Sequence, residues 1–370
     1  MNWRMISMGK IGVGVIGLGG VAEIGHLPWY KFNPNVVINA VADIDIVKAR
    51  RIAEKYGVKK YYKDYIKLLE NKDIEAVSIC TPVHLHKEHV VMACKYGKHV
   101  LVEKPMARDV DECREMISAA EKNNVILMVG FMKRFNPGFQ YIKNVLDSGE
   151  IGSPHYIDVH WSLFDIKGSS GFRYKSYTGG GVFQDHGSHY IDLSRWWFND
   201  EVKEVTAEFN IMVEGREVED HGVVLLRFNR RGIATIETSR IGLAHPNYGL
   251  YERGQIYTTK GGITFNVPDW TSYELPEISL FNGEYWKTIR LWKEGRSPPK
   301  HYMFKREIDH FIQCIFENRK PMVTGYDGLK AIEVINAAYI SCLENRKISL
   351  PLERYKINPG IFKRFPKFKC

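Results

Sequence analysis

A carboxylate and an imidazole lie four residues apart in this chain, directly after a run of three glycines. They are Asp185 and His189, and the glycines occupy positions 179–181. Residues four apart share one face of a helix, so a helix that begins at about Gly181 would direct both side chains toward the same small molecule. Imidazole has an ordinary pKa of about 6.5, which lets His189 accept a proton near neutral pH. The pair therefore suits removal of a proton from a hydroxyl group, with Asp185 holding that hydroxyl or stabilising the protonated imidazole.

A lysine from a distant part of the chain completes this candidate site. Lys104 lies between Glu103 and Pro105, and its ammonium would hold a hydroxyl and stabilise negative charge that develops on the oxygen. We hypothesise that Lys104, Asp185 and His189 are the catalytic residues, with His189 as the base and Lys104 as its electrostatic partner. The structural alternative is that a histidine one turn after an aspartate is only a hydrogen-bonded residue of the fold.

The same stretch contains His186, so Asp185, His186 and His189 also form a candidate metal-binding set. No metal-ligand spacing such as H-E-x-x-H accompanies them, and no bound metal is predicted. His186 is adjacent to Asp185 in sequence, and we expect its side chain to point elsewhere.

A glycine-rich turn near the start of the chain has the form of a dinucleotide-binding fingerprint. Residues 17–22 read G-x-G-x-x-A, follow a predicted strand and open into a helix. Gly17 permits the tight turn, Gly19 lets the backbone approach a pyrophosphate, and Ala22 allows helix and strand to pack closely. The turn predicts a bound NAD or NADP, and the alternative is an ordinary strand–turn–helix. The predicted cofactor contacts here are Gly17, Gly19, Gly20, Val21 and Ala22.

Asp43 stands at the end of the second predicted strand, where its carboxylate would accept hydrogen bonds from the adenosine ribose hydroxyls. It would repel a 2′-phosphate, so NAD is favoured over NADP, although Lys48 downstream weakens this preference. The segments 80–86 and 103–105 also follow predicted strands, at the edge where open parallel sheets bind ligands. The alternatives are solvent-facing polar residues and a surface ion pair. Further cofactor contacts are predicted at Cys80, Thr81, Pro82, His84, His86, Glu103 and Lys104.

Charged residues after the first predicted domain are candidate substrate contacts. Lys133 is expected to face a cleft between the two domains, and His160 and Arg173 come before the glycine run among several aromatic residues. Such groups suit a polyhydroxylated ring, and the alternative is that they form a domain interface. The predicted substrate-binding residues are Lys104, Lys133, His160, Arg173, Asp185 and His189.

The pattern of apolar runs predicts the scaffold that must hold these residues. Up to about residue 131, short apolar strands alternate with amphipathic helices, which indicates βαβ units and a parallel sheet. From 202 to 291, strand-like runs follow one another with little helix between them, which indicates an open, largely antiparallel sheet. The predicted fold is therefore α/β, with an N-terminal Rossmann parallel sheet and a C-terminal α+β domain that has an open, mostly antiparallel sheet. The predicted limits are 1–9 for an N-terminal extension, 10–133 for the Rossmann domain that binds NAD(P), and 134–370 for the C-terminal domain that binds substrate.

The individual elements are predicted from the same apolar and polar periodicities. Predicted helices, besides the one that carries Asp185 and His189, are 46–56, 65–71, 87–96, 110–123, 138–146, 305–317 and 325–344. Predicted strands are 11–16, 36–42, 76–80, 100–102, 125–129, 156–162, 204–212, 222–228, 232–239, 254–259 and 262–265.

Composition limits the class of protein. With 370 residues, 44% of them hydrophobic and 26% charged, the chain has the character of a soluble protein with more than one core. We expect no membrane partner and a cytoplasmic location, because no apolar run could span a bilayer and the start lacks a signal-peptide pattern. Six scattered cysteines without a C-x-x-C pair argue against zinc and disulfides. The net charge of +9 is spread out, apart from a basic tail at 362–369, so no nucleic-acid partner is predicted.

Four landmarks together resemble the Gfo/Idh/MocA family, the relatives of glucose–fructose oxidoreductase and inositol dehydrogenase. They are GLGGVA at 17–22, CTPVHLH at 80–86, VEKP at 102–105 and GGGVFQDHGSH at 179–189, in the family's order. The resemblance covers about residues 10–345. It implies that Lys104 is the active-site lysine and that Asp185 and His189 handle protons. It also implies that the open sheet of the C-terminal domain mediates oligomerisation, so we expect a homodimer or homotetramer. Val83 departs from the family pattern, which usually has Asn there.

These features predict an NAD(P)-dependent oxidoreductase that transfers a hydride between nicotinamide and a secondary hydroxyl of a sugar, inositol or sugar derivative. NAD is the expected cofactor and NADP the alternative. Two other functions stay open: an NAD-dependent glycoside hydrolase that works by oxidation and elimination, and a non-catalytic sugar or nucleotide sensor. The presence of Lys104, Asp185 and His189 argues against the sensor, which does not need all three.

Overall fold

Alternating strands and helices in the first part of the chain build a six-stranded sheet. The computed structural model describes residues 9–166, 171–230, 232–244, 250–267, 277–291, 299–352 and 354–367. The strands of this sheet are β1 (Ile11–Ile16), β2 (Val36–Ala42), β3 (Lys60–Tyr62), β4 (Ala76–Ile79), β5 (His99–Glu103) and β6 (Leu127–Gly130). Their order is β3–β2–β1–β4–β5–β6, and all neighbours are parallel. Every residue of β1 is buried, as expected for a strand covered on both faces.

Capping residues in the sequence set the limits of the helices. In α2 (Ile46–Tyr56) the Asp45 side chain accepts hydrogen bonds from the backbone N–H groups of Val47 and Lys48, and Gly57 ends the helix with a φ of +70°. The other helices are α1 (Leu27–Phe32), α3 (Tyr65–Leu69), α4 (His86–Lys95), α5 (Val110–Lys122), α6 (Pro137–Ser148), α7 (Ser188–Phe198), α8 (Tyr302–Phe316) and α9 (Gly325–Glu344).

The chain divides into two compact units that alternate along the sequence. The first comprises Met1–Glu103, Glu115–Gly130 and Phe304–Gly325, and it contains the parallel sheet. The second comprises Lys104–Arg114, Phe131–Met303 and Tyr326–Cys370. Lys104 therefore belongs to the second unit, although it directly follows the last residue of β5. The domain limits given above stay predictions, and residues 1–8 of the predicted extension lie outside the described residues.

A nine-stranded sheet forms the second unit's scaffold. Its order is β14–β13–β12–β11–β7–β10–β9–β8–β15. Strands β7 and β10 pair in parallel, and the other neighbouring strands in the described part of the sheet are antiparallel. The predicted open, mostly antiparallel sheet is confirmed. The strands are β7 (Pro154–Leu163), β8 (Val202–Asn210), β9 (His221–Phe228), β10 (Ile233–Ser239), β11 (Leu250–Thr258), β12 (Gly261–Val267), β13 (Glu277–Phe281), β14 (Trp286–Ile289) and β15 (Ile348–Ser349).

The two faces of this sheet differ in character because successive side chains of a strand point to opposite sides. In β7, Val159 and Trp161 are buried, and the alternate residues Asp158 and His160 are only half-buried. Helix α7 packs against β7 and β10. The face that carries Trp161 is therefore the core face, and the face that carries His160 is the outer one.

The segment after β15 packs back onto the second unit, a role that the sequence pattern left open. Phe362 and Phe365 are buried, and their rings lie 5.3 and 5.8 Å from the ring of Tyr339 on α9. The backbone carbonyl of Pro366 accepts a hydrogen bond from the N–H of Ile211 at 2.9 Å. The part of the basic tail up to Lys367 thus places its aromatic residues inside and its charges outside; residues 368 and 369 lie outside the described residues.

We expect Phe362→Ala to lower the free energy of unfolding by about 3–5 kcal/mol, because it removes a fully buried ring and leaves a cavity beside Tyr339. The measurement is urea unfolding followed by circular dichroism. The matched control is Lys363→Ala, at the next and exposed position, which should change stability by no more than about 0.5 kcal/mol. Equal stabilities for the two variants would show that the tail does not contribute to the core.

Candidate active site

The segment that carries Asp185 and His189 begins as a single wide turn and then becomes a regular helix. Residues Phe183–Gly187 form a π-helix, and α7 continues from Ser188. Such turns are uncommon and often occur at functional sites. The glycines before the turn are required by close packing, since a Cβ on Gly181 would collide with the backbone carbonyl of Glu219. The glycine run thus lets the chain pass close to Glu219 just before the turn.

Glu219 stabilises the start of this turn by hydrogen bonds. Both of its carboxylate oxygens accept hydrogen bonds from the Gly181 N–H, at 2.9 and 2.8 Å, and Oε1 also accepts from the Phe183 N–H at 3.1 Å. The Tyr339 hydroxyl donates to the same Oε1 at 2.8 Å. Burial raises the pKa of Glu219 to about 7, against the opposing effect of these hydrogen bonds. Sequence reasoning missed Glu219, because nothing in its local pattern distinguishes it from a turn residue.

Asp185 is surrounded by cations. The Lys104 ammonium donates to Asp185 Oδ1 at 2.7 Å and to its backbone carbonyl at 3.0 Å. Arg240 donates to Oδ2 at 2.7 Å, and Arg173 Nε lies 3.8 Å from the same oxygen. Burial alone would raise the pKa of Asp185, but the charges of Lys104 and the two arginines outweigh it and hold the pKa well below its usual range. Asp185 is therefore an ionised carboxylate that fixes the ammonium of Lys104.

The expectation for His186 was wrong. Its ring stacks on Trp161 with centroids 3.4 Å apart and planes 13° apart, and its Nε2 lies 3.4 Å from Asp185 Oδ2. The wider turn of a π-helix rotates successive residues by less than an α-helix does, which keeps residues 185 and 186 on one side. Burial lowers the pKa of His186 well below its ordinary value. We refer to Lys104, Asp185, His186, His189, Arg173 and Arg240 as the Asp185 cluster.

His189 is buried in a neutral state. Only 2% of it is exposed, the Phe131 ring approaches it edge-on at 5.8 Å, and its Nδ1 has no hydrogen-bond partner among the described residues. Burial lowers the pKa of His189 well below 6.5, and the nearby charges of Lys104 and Lys133 lower it further. Within the described part of the chain, the carboxylate of Asp185 bonds to Lys104 and Arg240 rather than to His189. The neutral imidazole is able to accept a proton.

Two predicted substrate contacts have other partners. The Lys133 ammonium is buried and bonded to both carboxylate oxygens of Glu252, at 2.6 and 2.8 Å, so it does not face an open cleft as predicted. His160 lies on the outer face of the sheet, the face opposite to Trp161 and the Asp185 cluster. It bonds to Asp158 at 2.7 Å and Glu237 at 2.6 Å, and these hydrogen bonds raise its pKa to about 9. The strand alternation, which the sequence already contains, separates His160 from the site.

The glycine turn of the first unit has room for a dinucleotide. Gly17 has a φ of +83°, and a Cβ there would lie 2.8 Å from the backbone of Cys80 and Thr81. Gly19 and Gly20 are exposed, and a Cβ on either would meet nothing within 4 Å. Their backbone is thus open to a pyrophosphate, as a dinucleotide requires. Val21 is half-buried and Ala22 is fully buried under the turn.

Asp43 braces the same turn. Its Oδ2 accepts a hydrogen bond from the Leu18 N–H at 2.8 Å and lies 2.7 Å from the Lys48 ammonium. Its Oδ1 accepts from the Asp45 N–H at 3.0 Å. Oδ1 has one donor and retains acceptor capacity for a ribose hydroxyl, and the contact of Asp43 with the ribose stays a prediction. The paired cation of Lys48 is well placed to moderate the rejection of a 2′-phosphate.

The segment 80–86 and Glu103 make internal contacts. His86 is buried and its Nε2 lies 2.7 Å from the backbone carbonyl of Thr81. Glu103 is 5% exposed and bonds to His26 Nε2 at 2.8 Å, with His26 Nδ1 bonded to Ser78 at 3.0 Å. His86 and Glu103 thus brace the carboxyl ends of β4 and β5 from inside. Of the remaining predicted contacts, Cys80 is buried, and Thr81, Pro82 and His84 are half-buried.

Two absences apply to the described ranges alone. There, no three His, Cys, Asp or Glu side chains gather as a metal site would require. The helices of that part of the chain are all too short or too polar to span a bilayer.

The first unit has a parallel sheet with an accessible glycine turn, and the second unit has a mixed sheet and the cluster of Lys104, Asp185 and His189. Together these features are those of a nicotinamide-dependent oxidoreductase. The family model of oxidoreductases with an NAD-binding Rossmann fold, GFO_IDH_MocA, matches residues 11–131, and the model of the GFO/IDH/MocA C-terminal domain matches residues 139–264. The chain belongs to the Gfo/Idh/MocA family, as the sequence landmarks predicted.

Individual relatives match over nearly the whole chain. Myo-inositol 2-dehydrogenase of Thermotoga maritima is 30% identical over 91% of this chain and 98% of its own length. The uncharacterised oxidoreductase YrbE of Bacillus subtilis is 29% identical over 94% of this chain and 97% of its own length. The crystal structure of aldose-aldose oxidoreductase from Caulobacter crescentus, complexed with glycerol, superposes with a TM-score of 0.82 at 26% identity, covering 92% of this chain and all of that one.

We expect Glu219→Gln to reduce both stability and turnover. The single oxygen of an amide cannot accept all the hydrogen bonds from Gly181, Phe183 and Tyr339, and the amide NH₂ group would face these donors. The expected loss of stability is about 1–3 kcal/mol. The folded-state pKa of about 7 lies above the ordinary glutamate value, so the stabilising contribution of this proton is complete below pH 4.5 and is lost as pH rises through 7.

Urea unfolding at pH 5 and pH 8 measures this effect. Wild-type protein should lose more stability between the two pH values than Glu219→Gln does. Glu217→Gln, an exposed neighbour on the same segment, is the control and should retain the wild-type pH dependence. Parallel pH dependences for wild type and Glu219→Gln would rule out Glu219 as the titrating group.

We expect Asp43→Asn to lower the ratio of kcat/KM for NAD over NADP by at least about tenfold, because it removes a negative charge beside the predicted position of the 2′-phosphate. Lys48→Gln should shift the ratio the opposite way, since it removes the paired cation. Steady-state rates with both cofactors give the ratios. A ratio unchanged by either substitution would mean that Asp43 does not contact the adenosine ribose.

Proposed function

We propose that this protein is an NAD(P)-dependent dehydrogenase of sugars, inositols or their derivatives that acts on a secondary hydroxyl. The observation that carries the proposal is the Asp185 cluster, in which an ammonium, an ionised carboxylate and a neutral imidazole come together in a chain whose N-terminal part matches an NAD-binding Rossmann model. The relatives named above, a myo-inositol dehydrogenase and an aldose-aldose oxidoreductase, support polyols and sugars as the substrate class.

The cofactor supplies hydride acceptance at the nicotinamide ring when it is bound. Gly17, Gly19 and Gly20 would hold its pyrophosphate and Asp43 its ribose. All other chemistry falls to the second unit of this chain.

Lys104 acts as the cation in this scheme. Asp185 orients its ammonium through the 2.7 Å contact, so Lys104 donates a hydrogen bond to the reacting oxygen and stabilises negative charge on it. Asp185 therefore positions Lys104, and its carboxylate does not act as the base.

His189 accepts the hydroxyl proton. Its lowered pKa keeps the ring neutral at physiological pH, which is the form a base requires. A weak base is sufficient, because the hydroxyl of an alcohol that is losing hydride becomes strongly acidic. Lys104 and His189 thus divide the work between charge stabilisation and proton removal.

The reaction products distinguish a dehydrogenase from the two alternative functions. A dehydrogenase forms NADH in proportion to the polyol oxidised, whereas elimination by a glycoside hydrolase releases free sugar without net NADH. A sensor binds without forming either product. The expected homodimer or homotetramer, the absence of nucleic-acid and membrane partners, and the cytoplasmic location stay predictions.

We expect purified protein to produce NADH with at least one member of a panel of sugars and inositols, followed by absorbance at 340 nm. His189→Ala should then lower kcat by about 10²–10⁴-fold, because general-base catalysis contributes on that order. His155→Ala removes an exposed histidine of β7 and should leave kcat unchanged. A His189→Ala variant with near-normal kcat and an unchanged pH profile would exclude His189 as the base.

A further inference from the structure

The Asp185 cluster contains more positive charge than its own carboxylate neutralises. Lys104, Arg240 and Arg173 lie 2.7, 2.7 and 3.8 Å from the carboxylate oxygens of Asp185. The nearby Lys133 is already paired with Glu252, and the two histidines have lowered pKa values and are neutral. One carboxylate therefore serves three cations.

The net charge is still positive when the charged groups next to the cluster are counted as well. Behind the cluster, Arg216 is shared by Asp220 at 3.2 Å and Asp165 at 3.9 Å. With these groups included, four cations face three carboxylates among the described residues. The excess falls from two positive charges to one, because two carboxylates lie beside Arg216.

Arg173 is the member of the cluster that is available to a ligand. Its side chain is 60% exposed, against 15% for Lys104 and 8% for Arg240. Its Nε lies 3.8 Å from the oxygen that accepts the 2.7 Å hydrogen bond from Arg240, so Arg173 itself makes no short contact with Asp185. In contrast, Lys175 on the same segment has its own partner, Glu217, at 3.0 Å.

The segment that carries Arg173 is anchored. The ring of Tyr174 contacts two guanidinium groups, 4.4 Å from that of Arg216 and 5.4 Å from that of Arg240. The backbone carbonyl of Tyr174 also accepts a hydrogen bond from the Glu217 N–H at 3.0 Å. Arg173 is thus held beside Asp185 by its neighbour, and its guanidinium presents a planar set of donors at the exposed side of the cluster.

We infer that the substrate is an anionic sugar or polyol derivative whose carboxylate or phosphate is bound by Arg173, while its reacting hydroxyl lies at Lys104 and His189. This inference rests on the proposed function and narrows its substrate class. A guanidinium matches both kinds of oxyanion with paired hydrogen bonds, and an anion would balance the excess charge of the cluster. A neutral polyol would offer the guanidinium of Arg173 no opposite charge.

The test compares matched sets of substrates, each a hexose, its hexuronate and its 6-phosphate, with full-length protein and NAD. We expect one of the two anions to have a kcat/KM at least about tenfold above that of the neutral hexose. The better anion identifies the source of the charge, a uronate carboxylate or a phosphate. Neutral hexoses that equal or exceed both anions in every set would overturn the inference and leave the proposed dehydrogenase intact.

Substitution assigns the effect to one side chain. Arg173→Gln should reduce the preference for the anion about tenfold, mainly through KM, and Arg173→Lys should restore part of it. Lys175→Gln, which removes a paired cation two residues away, should leave the preference unchanged. A Gln variant that loses activity equally with anionic and neutral substrates would contradict the assignment.

If the protein oxidises no sugar, calorimetric titration in the presence of NADH tests whether it binds the anions. Binding of the hexuronate or the 6-phosphate that Arg173→Gln abolishes would support anion recognition even though the dehydrogenase proposal had failed. Absence of binding by both anions would overturn the inference independently of turnover.

Discussion

The ion pair between Lys104 and Asp185 is the interaction on which the rest of the second unit's site depends. It joins residues 81 positions apart in sequence and holds an ammonium against an ionised carboxylate. The charge of Lys104 is the largest of those that hold the pKa of Asp185 low, and burial, assisted by the charge of Lys104, keeps the imidazole of His189 neutral. The 2.7 Å contact therefore keeps Asp185 ionised, and the same ammonium adds to the effect of burial on His189. Buried ions are costly to desolvate, and Arg240 compensates by a second short bond to the same carboxylate.

The fold supports this contact through groups that never touch a substrate. Glu219 holds the amides at the entrance to the π-turn, Tyr339 holds Glu219, and the rings of Phe362 and Phe365 pack on Tyr339. The site is thus supported from the end of the chain by one continuous series of contacts. A basic tail that looks like a solvated extension in the sequence is part of the core behind the site.

Local signals in the sequence were sufficient for much of this arrangement. The apolar runs predicted the parallel sheet. Strand β3 was not predicted, because Lys60–Tyr62 is short and largely exposed. Spacing and family landmarks selected Lys104, Asp185 and His189, which the structure brings into one unit. Long-range ion pairs could not be predicted from the sequence, because no local pattern indicates that Arg240 bonds to Asp185 or that Glu252 pairs with Lys133. The position of His160 was within reach, because the alternation of Ile157, Val159 and Trp161 assigns it to the opposite face.

The central claim is that Lys104 and His189 act together on one hydroxyl while Asp185 holds Lys104. A crystal structure of the protein with oxidisable substrate and reduced cofactor tests it most directly. The account predicts that the reacting oxygen lies within hydrogen-bond distance of both Lys104 Nζ and the His189 ring, with the Lys104–Asp185 pair intact. A substrate whose reacting oxygen contacts neither group, or a Lys104 ammonium that has left Asp185, would contradict it.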